Sequence, residues 1–103
     1  MEKKTRHYHL EEIQAQMKTV QELRLTYSAM KGIRCAGMVN QDALDVVQSL
    51  SRQNFYKSMT TKADHSVWQD VYHAEWNDLE LYVKFQRDSA GFFFTISFKQ
   101  WGT

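Results

Sequence analysis

Two polar side chains able to take part in proton transfer, Tyr82 and Lys99, fall on neighbouring strands of a predicted hairpin. A turn at residues 87–91 joins the strand of Tyr82 to the strand of Lys99. Two registers keep the apolar faces of this hairpin matched, one with Thr95 and one with Ser97 opposite Tyr82. In the second register Lys99 is a diagonal neighbour of Tyr82, roughly 7–8 Å away. A phenol and an ammonium would then lie together on the face of the sheet that does not pack on the core.

The other side chains of chemical interest lack the spacing of a known site. The four histidines show no HExxH or cysteine-paired arrangement, so a metal site is not expected. The one cysteine, Cys35, is expected to be a small hydrophobic residue of the core rather than a nucleophile. The glycines are isolated, so no glycine-rich phosphate loop is predicted. The three tryptophans are expected to pack in the core and the hairpin rather than to form a base-stacking platform.

Three helices are predicted in the N-terminal half of the chain. Apolar residues at helical spacing predict the first helix over residues 8–21. Thr26 is expected to cap a second, short helix that ends at the turn of residues 35–37, and Asn40 to cap a third. A short extended segment at residues 22–25 is expected to join the sheet. The apolar stripes of the first and third helices are Leu10, Ile13, Met17 and Val20, and Ala43, Leu44, Val47 and Leu50.

After Ser51 the pattern changes to segments rich in β-branched and aromatic residues. These segments are FYKSMTT, VWQDVYH, LELYVKFQ and FFFTISFKQW. The sequence therefore predicts one α+β domain over residues 1–103, with about three N-terminal helices packed on one side of an antiparallel sheet. In the last two strands, strict alternation defines the face toward the helices. The residues expected on that face are Leu79, Leu81, Val83 and Phe85, and Phe92, Phe94, Ile96 and Phe98.

Composition and charge limit the classes of protein and of partner. A chain of 103 residues with 43% hydrophobic and 24% charged residues is typical of one globular domain and disfavours disorder. A single cysteine, no signal peptide and no apolar run of about 20 residues predict a cytoplasmic protein without a membrane partner. The net charge of +1 disfavours a protein that coats nucleic acid. A local basic surface is compatible with it, since residues 46–63 contain basic residues and no acid.

Residues 55–72, FYKSMTTKADHSVWQDVY, resemble one family of bacterial proteins. The block FYKSMTT, the dipeptide DH and the block WQDVY are similar to the central signature of the motility quorum-sensing regulator toxins, the MqsR family. The closing SFK at residues 97–99 is similar to the C-terminal strand of that family, and the opening EKKTRHYHL resembles the family's opening, including His7. The resemblance implies a RelE-like fold of helices on an antiparallel sheet, which agrees with the change of periodicity after Ser51.

The resemblance also implies an activity, the ribosome-independent and metal-independent cleavage of single-stranded mRNA at GCU-like sequences by a type II toxin, which arrests translation and growth. In such cleavage the neighbouring 2′-OH attacks the phosphate, so the enzyme removes one proton, donates another and stabilises charge. The catalytic residues that the resemblance implies are Lys57, Gln69, Tyr82 and Lys99. The residues expected to bind RNA are Tyr56, Met59, Lys62, His73 and Lys84.

Each of the four catalytic candidates has a hypothetical role. Tyr82 is assigned to acid–base work, Lys57 and Lys99 to the phosphate, and Gln69 to positioning of the scissile group. Strict alternation places Lys57 and Gln69 on the apolar face of their strands, so a bulge or a curled sheet is needed to bring them to the polar face. The segment HAEWND at residues 73–78 matches nothing in the family pattern.

The resemblance implies two partners and no cofactor. The substrate is single-stranded mRNA, and the protein partner is an antitoxin with a zinc-binding domain and a helix-turn-helix domain, through which alone operator DNA is bound. Two other functions stay open. One is a catalytically weak module that keeps the fold and binds RNA or the antitoxin, and the other is an adaptor domain whose aromatic sheet binds another protein.

Overall fold

The computed structural model describes residues 1–101, in which three α-helices pack on a five-stranded antiparallel sheet. The helices are α1 (Leu10–Gln16), α2 (Tyr27–Cys35) and α3 (Asn40–Ser49), with short 3-10 turns at Val20–Glu22 and Arg52–Asn54. The strands, side by side in chain order, are β1 (Glu2–Lys3), β2 (Phe55–Thr60), β3 (Trp68–Trp76), β4 (Leu79–Arg87) and β5 (Phe93–Gln100). The predicted α+β class is confirmed. The last two residues of the predicted domain, 102 and 103, lie outside the described residues.

The first helix is shorter than predicted, and it ends where α3 supplies hydrogen bonds to its carbonyl groups. The Gln48 Nε2 atom donates to the main-chain oxygens of Gln14 (2.9 Å) and Met17 (2.7 Å). In return the Gln14 Nε2 atom donates to the main-chain oxygen of Val47 (3.0 Å). These reciprocal bonds satisfy carbonyl groups that a helix end leaves unpaired, and they fix α1 to α3.

The N-cap residue predicted from the sequence is correct for α2 and wrong for α3. Thr26 caps α2 as predicted, because its hydroxyl accepts a hydrogen bond from the Ala29 N–H (3.1 Å). The prediction that Asn40 caps α3 is wrong, since the N-cap position is Val39. The Val39 N–H instead donates to the Asp42 carboxylate (2.9 Å), which supplies one half of a capping box.

Helix α2 packs very closely on β5. A Cβ atom added to Gly32 would lie 1.7 Å from the main-chain oxygen of Phe98, so only glycine fits at this crossing. Just before α2, Leu25 forms a single parallel bridge to Thr95, so part of the predicted extended segment does join the sheet. Cys35, at the end of α2, is exposed, and its predicted place in the core is wrong.

The strand faces agree with prediction on β4 and differ on the first half of β5. On β5, Phe93 and Thr95 are buried, and Ile96 is the extra residue of a bulge between two pairs of the β4–β5 ladder. The bulge changes the phase of the strand, so that Phe98 packs on the helices as predicted. The residues buried on β4 as predicted are Leu81, Val83 and Phe85, and those wrongly predicted to be buried on the second strand are Phe92, Phe94 and Ile96.

A buried carboxylate fastens the N-terminal segment to the sheet. Asp70, fully buried on the helix side of β3, accepts hydrogen bonds from the N–H groups of His7 (3.1 Å) and Tyr8 (2.9 Å). It also accepts one from the Ser58 hydroxyl (2.6 Å). The Tyr8 hydroxyl donates to the main-chain oxygen of Trp68 (2.8 Å). Hydrogen bonds to a charged acceptor are stronger than neutral ones, so these contacts hold β1 in place beside β2.

Candidate active site

The face of the sheet opposite the helices carries an open depression of ≈ 330 Å³, which we call the lysine cleft. Lys57 reaches it from β2, Tyr82 and Lys84 from β4, and Lys99 from β5. The other residues that line the cleft are Tyr56, Met59, Val71, Ser97 and Gln100. Among the described residues no acidic side chain lines it, so three ammonium groups and two phenols dominate its chemistry.

The β4–β5 hairpin places Lys99 directly opposite Tyr82. Both registers predicted from the sequence, with Thr95 or Ser97 in that position, are wrong. The turn is five residues long, and the bulged Ile96 adds one more residue before Lys99. Directly opposed residues have Cβ atoms about 4.5–5.5 Å apart, closer than the diagonal pair that was predicted. The predicted convergence of a phenol and an ammonium on the open face is therefore present, and tighter.

A second bulge turns Lys57 toward the cleft. The register of β2 against β3 shifts between Phe55 and Lys57, so Tyr56 is the extra residue. Phe55 lies on the helix side, where its ring meets Tyr72 edge to face at 5.6 Å. After the bulge, Lys57 pairs with Val71 on the open side. The bulge required by the sequence for Lys57 is confirmed.

Gln69 reaches the same face of the sheet without a bulge, but it lies beside the lysine cleft rather than in its lining. Val71, two residues along the strand, points to the same face as Gln69; it is only 2% exposed and lines the cleft. The assumption that the apolar residues on this face of β3 must pack against the helices is therefore wrong. Gln69 pairs with Met59 across the ladder, and its amide donates to the Gln86 side-chain oxygen (3.0 Å). The structure thus brings together three of the four catalytic candidates and leaves Gln69 at the margin.

The residues predicted to bind RNA divide between the cleft and its surroundings. His73 lies beside Tyr82 and under the ring of Trp101, outside the cleft lining. Lys62 is exposed in the loop after β2, away from the cleft. The three that line the cleft are Tyr56, Met59 and Lys84.

One lysine of the cleft is neutralised by an acid from the N-terminal strand. The Lys57 ammonium donates to the Glu2 carboxylate at 2.7 Å. This hydrogen bond raises the pKa of Lys57 above its ordinary value and lowers the pKa of Glu2. Lys57 is therefore held in its charged form, as a cation that can bind an anion after exchange of Glu2.

The two β4 residues of the cleft have pKa values shifted in opposite directions. Burial lowers the pKa of Lys84, and the nearby ammonium groups of Lys99 and Lys57 lower it further. Burial raises the pKa of Tyr82, and the neighbouring Tyr56 adds to the effect. The shift increases the fraction of Lys84 that is neutral at a given pH, and the Tyr82 phenol stays protonated at neutral pH.

Three residues that shape this region are absent from the site that was predicted from the sequence. Glu2 reaches the cleft through a pairing of β1 with β2 that no local pattern signals. Asp70 has no role in the site predicted from the sequence, although its place between Gln69 and Val71 in an apolar strand was a signal of burial. Trp101 is two residues beyond Lys99, and this period-2 spacing could have placed it on the open face.

Two features are absent from residues 1–101. No group of three or more histidine, cysteine, aspartate or glutamate side chains in this range is placed to hold a metal ion. No helix in the same range is long and apolar enough to cross a membrane.

The sequence of this α+β chain with its lysine-rich cleft matches one family of toxins. The family model described as "Motility quorum-sensing regulator, toxin of MqsA" matches residues 5–100. The mRNA interferase toxin MqsR of Escherichia coli strain K12 is 36% identical over 84 residues, which cover 82% of this chain and 85% of the relative. The chain therefore belongs to the MqsR toxin family. The family predicted from the sequence is confirmed, and with it the assignment to a class of enzymes rather than to structural adaptors.

Proposed function

We propose that this chain is the toxin of a type II toxin–antitoxin system and that it cleaves single-stranded mRNA, without the ribosome or a metal ion, at GCU-like sequences. The observation that carries the proposal is the lysine cleft, in which three ammonium groups and a phenol meet on one open face. Family membership supports RNA as the substrate, because the E. coli relative is an mRNA interferase. An open cationic face suits an unpaired, polyanionic strand.

The chemistry that this set of side chains can support is attack by the 2′-OH on the adjacent phosphorus. The bond from the 2′-oxygen to phosphorus forms while the bond from phosphorus to the 5′-oxygen breaks. The proton of the 2′-OH passes to a base on the enzyme, and the departing 5′-oxygen receives a proton from an acid. The products are a 2′,3′-cyclic phosphate and a 5′-hydroxyl, and extra negative charge on the phosphorane is stabilised by cations.

The three lysines divide between phosphate binding and proton transfer. Lys57 stays protonated because of its contact with Glu2, which suits it to the phosphate rather than to the role of a base. Lys99 supplies a second cation directly opposite Tyr82. Lys84, whose pKa is lowered by burial and by its two cationic neighbours, is the amine best suited to accept the 2′-OH proton. Its role would therefore extend beyond the RNA binding predicted from the sequence.

Tyr82 and Gln69 complete the proposed site. The raised pKa of Tyr82 keeps its phenol protonated at neutral pH, so we assign to it the proton donated to the 5′-oxygen. Gln69 lies two pairs along the β2–β3 ladder from Val71, and its amide donates a hydrogen bond to Gln86 that orients it. Its proposed role is to position the nucleotide next to the scissile phosphate.

The test is cleavage of a defined single-stranded RNA that contains one GCU sequence, in the presence of EDTA. We expect products that end in a 2′,3′-cyclic phosphate and a 5′-hydroxyl. Tyr82→Phe should cut roughly 10²- to 10⁴-fold more slowly, since it lacks the proton donor. The matched control is Tyr27→Phe, because Tyr27 is 77% exposed on α2 and does not line the cleft. Uncut RNA with folded wild-type protein would favour a binding module instead.

We further propose that a cognate antitoxin, with a zinc-binding domain and a helix-turn-helix domain, neutralises this toxin and carries the complex to operator DNA. The family description, which names these proteins as toxins of MqsA, supports a dedicated partner. Co-expression of the neighbouring reading frame should relieve the growth arrest caused by the toxin alone. In a mobility-shift assay, operator DNA should move only when the antitoxin is present, and a shift by the toxin alone would contradict the proposal.

A further inference from the structure

Four rings form a continuous aromatic group at the edge of the lysine cleft, which we call the aromatic rim: Tyr56, His73, Tyr82 and Trp101. The indole of Trp101 stacks on His73 (centroids 4.3 Å apart) and on Tyr82 (4.4 Å). The rings of His73 and Tyr82, paired across β3 and β4, are themselves stacked at 5.4 Å. Trp101 therefore lies across both rings and covers them.

The outer surface of the aromatic rim is open to solvent. Trp101 is 42% exposed and Tyr56 is 38% exposed, and their ring centroids are 6.3 Å apart. The main chain of Trp101 is fixed, because its N–H donates to the Glu80 oxygen at 2.7 Å and continues the β4–β5 ladder. A large flat apolar surface is thus held rigidly at the rim. Trp101 packs on the β4–β5 hairpin, as predicted, and its outer face stays exposed.

Cations and the proposed reacting groups lie next to this exposed surface. The ammonium of Lys4 lies 4.9 Å from the ring centroid of Tyr56, and that of Lys57 lies 5.3 Å from it. Tyr82, which the Trp101 indole covers on one side, also lines the lysine cleft. A phosphate held in the cleft would therefore place the base of an adjoining nucleotide over the aromatic rim.

We propose that the exposed indole face of Trp101 binds, by stacking, one nucleobase of single-stranded RNA adjacent to the scissile phosphate, with Tyr56 beside that base. The inference rests on the proposed function and adds a base subsite to it. Every base has a π-face, so stacking on the indole supplies affinity and positioning without choosing the base. Recognition of the GCU-like sequence then belongs to hydrogen-bonding groups elsewhere on the open face. The surface suits RNA better than a protein partner, because the ammonium groups of Lys4 and Lys57 lie beside Tyr56 and no acid lines the cleft among the described residues. The nearby acids include Glu2, which is paired with Lys57, and Glu80, whose charge acts on Tyr82.

The experiment is a double-mutant cycle on RNA affinity, in which a substitution at Trp101 is combined with the removal of single bases from the RNA. The RNA contains one GCU sequence, and a 2′-deoxynucleotide at the mapped cleavage position removes the nucleophile, so binding is measured without cleavage. Trp101→Ala should weaken binding of this RNA about 10- to 100-fold. With an abasic nucleotide at one position beside the scissile bond, the same substitution should change affinity less than about threefold, since the stacked base is already gone.

Two further variants separate stacking from a structural role of Trp101. Trp101→Phe should retain most of the affinity, and Trp101→Leu, which keeps an apolar side chain but no aromatic face, should lose most of it. Tyr27→Ala, which removes an exposed aromatic ring from α2, should bind as the wild type does. Circular dichroism and thermal unfolding establish that each variant is folded, and if Trp101→Ala is not, Trp101→Leu takes its place in the cycle.

Two results would overturn the inference. One is wild-type affinity in both Trp101→Ala and Trp101→Leu, which would leave the surface to a protein such as the antitoxin. The other is an equal loss with every abasic RNA, which would mean that Trp101 only supports Tyr82. Neither result bears on whether the wild type cuts an all-ribose RNA, so a failure of the base subsite is distinguishable from a failure of the proposed function.

Discussion

At the scale of single residues, the contact between Glu2 and Lys57 controls how much positive charge the lysine cleft offers. A phosphate that binds Lys57 must displace the Glu2 carboxylate from its position at 2.7 Å. Glu2→Gln should therefore tighten the binding of uncleavable RNA about two- to fivefold at low salt, the range expected of an exposed ion pair. Glu12→Gln, at an exposed position on α1, is the matched control. Weaker binding by Glu2→Gln would mean that Glu2 positions Lys57 instead of competing with RNA.

The proton-transfer roles proposed for Lys84 and Tyr82 predict the shape of the pH profile. A base must be neutral to act, so kcat should rise with pH as Lys84 loses its proton, at a pH below the ordinary lysine pKa of 10.5 because its pKa is lowered. An acid must be protonated, so kcat should fall only where Tyr82 ionises, above the ordinary tyrosine pKa of 10.0 because its pKa is raised.

The substitution that tests this profile is Lys84→Arg, which keeps the positive charge and removes a base that can titrate. It should lower kcat by about 10²-fold or more and abolish the rising limb, measured against the uncatalysed hydrolysis of the same RNA at each pH. Lys62→Arg, in the exposed loop after β2, is the control. A rising limb that survives in Lys84→Arg would remove Lys84 from the role of base.

Some residues of the site could be predicted from the sequence, and others could not. Strand alternation was sufficient to place Tyr82 and Lys99 on the open face of the sheet. For Lys57, alternation predicted the apolar face, and a bulge was needed to bring this proposed catalytic residue to the open face. Glu2 could not be predicted, since it reaches Lys57 across 55 positions of the sequence through a two-residue strand. The pairing of that strand depends on hydrogen bonds to the buried Asp70, which are tertiary contacts.

At the scale of elements, the crossing of α2 and β5 holds the strand that carries Lys99. Gly32→Ala would place a methyl group against the main-chain oxygen of Phe98, and a backbone atom in a paired strand has little freedom to move. We expect a loss of at least about 3 kcal/mol in the free energy of unfolding, or failure to fold. Gly37→Ala is the control, because space around Gly37 is open and only its positive φ of 78° is strained, at a cost of about 1–2 kcal/mol.

Urea unfolding of Gly32→Ala and Gly37→Ala tests whether the close contact at Gly32 is the more costly to disturb. A Gly32→Ala midpoint no lower than that of Gly37→Ala would show that α2 can shift away from β5 at little cost. In that case the position of Lys99 would depend on the β4–β5 ladder rather than on the helix.

The helices and strands themselves were easier to predict than which of their residues face the core. Helix α3 and strand β4 have one dominant apolar face each, and sequence periodicity was sufficient for both. In β5, three consecutive phenylalanines at 92–94 fit either phase, and a bulge at Ile96 then reverses the phase within the strand. Local periodicity contains no information on such a bulge, because the partner strand decides it.

At the scale of the whole molecule, the net charge of +1 is compatible with the proposal that the cleft binds RNA, because charge is distributed unevenly. Three of the thirteen lysine and arginine residues line the cleft, and among the described residues none of the acids does. The remaining charges nearly cancel over the rest of the surface. The ten other basic residues are outnumbered by the twelve acids, which disfavours a broad basic face along which a long strand could bind.

This distribution predicts a shallow dependence of RNA affinity on salt. Binding to single strands releases about 0.7 counterions for each neutralised phosphate, so three lysines give a slope of about −2 in a plot of log K against log salt concentration. Lys99→Gln should reduce the steepness by about 0.7, whereas Lys62→Gln in the exposed loop should leave it unchanged. The measurement is a salt titration of uncleavable RNA by fluorescence anisotropy. A slope steeper than about −4 would mean that cations outside the lysine cleft bind the strand, and the site would then be a long groove rather than a short cleft.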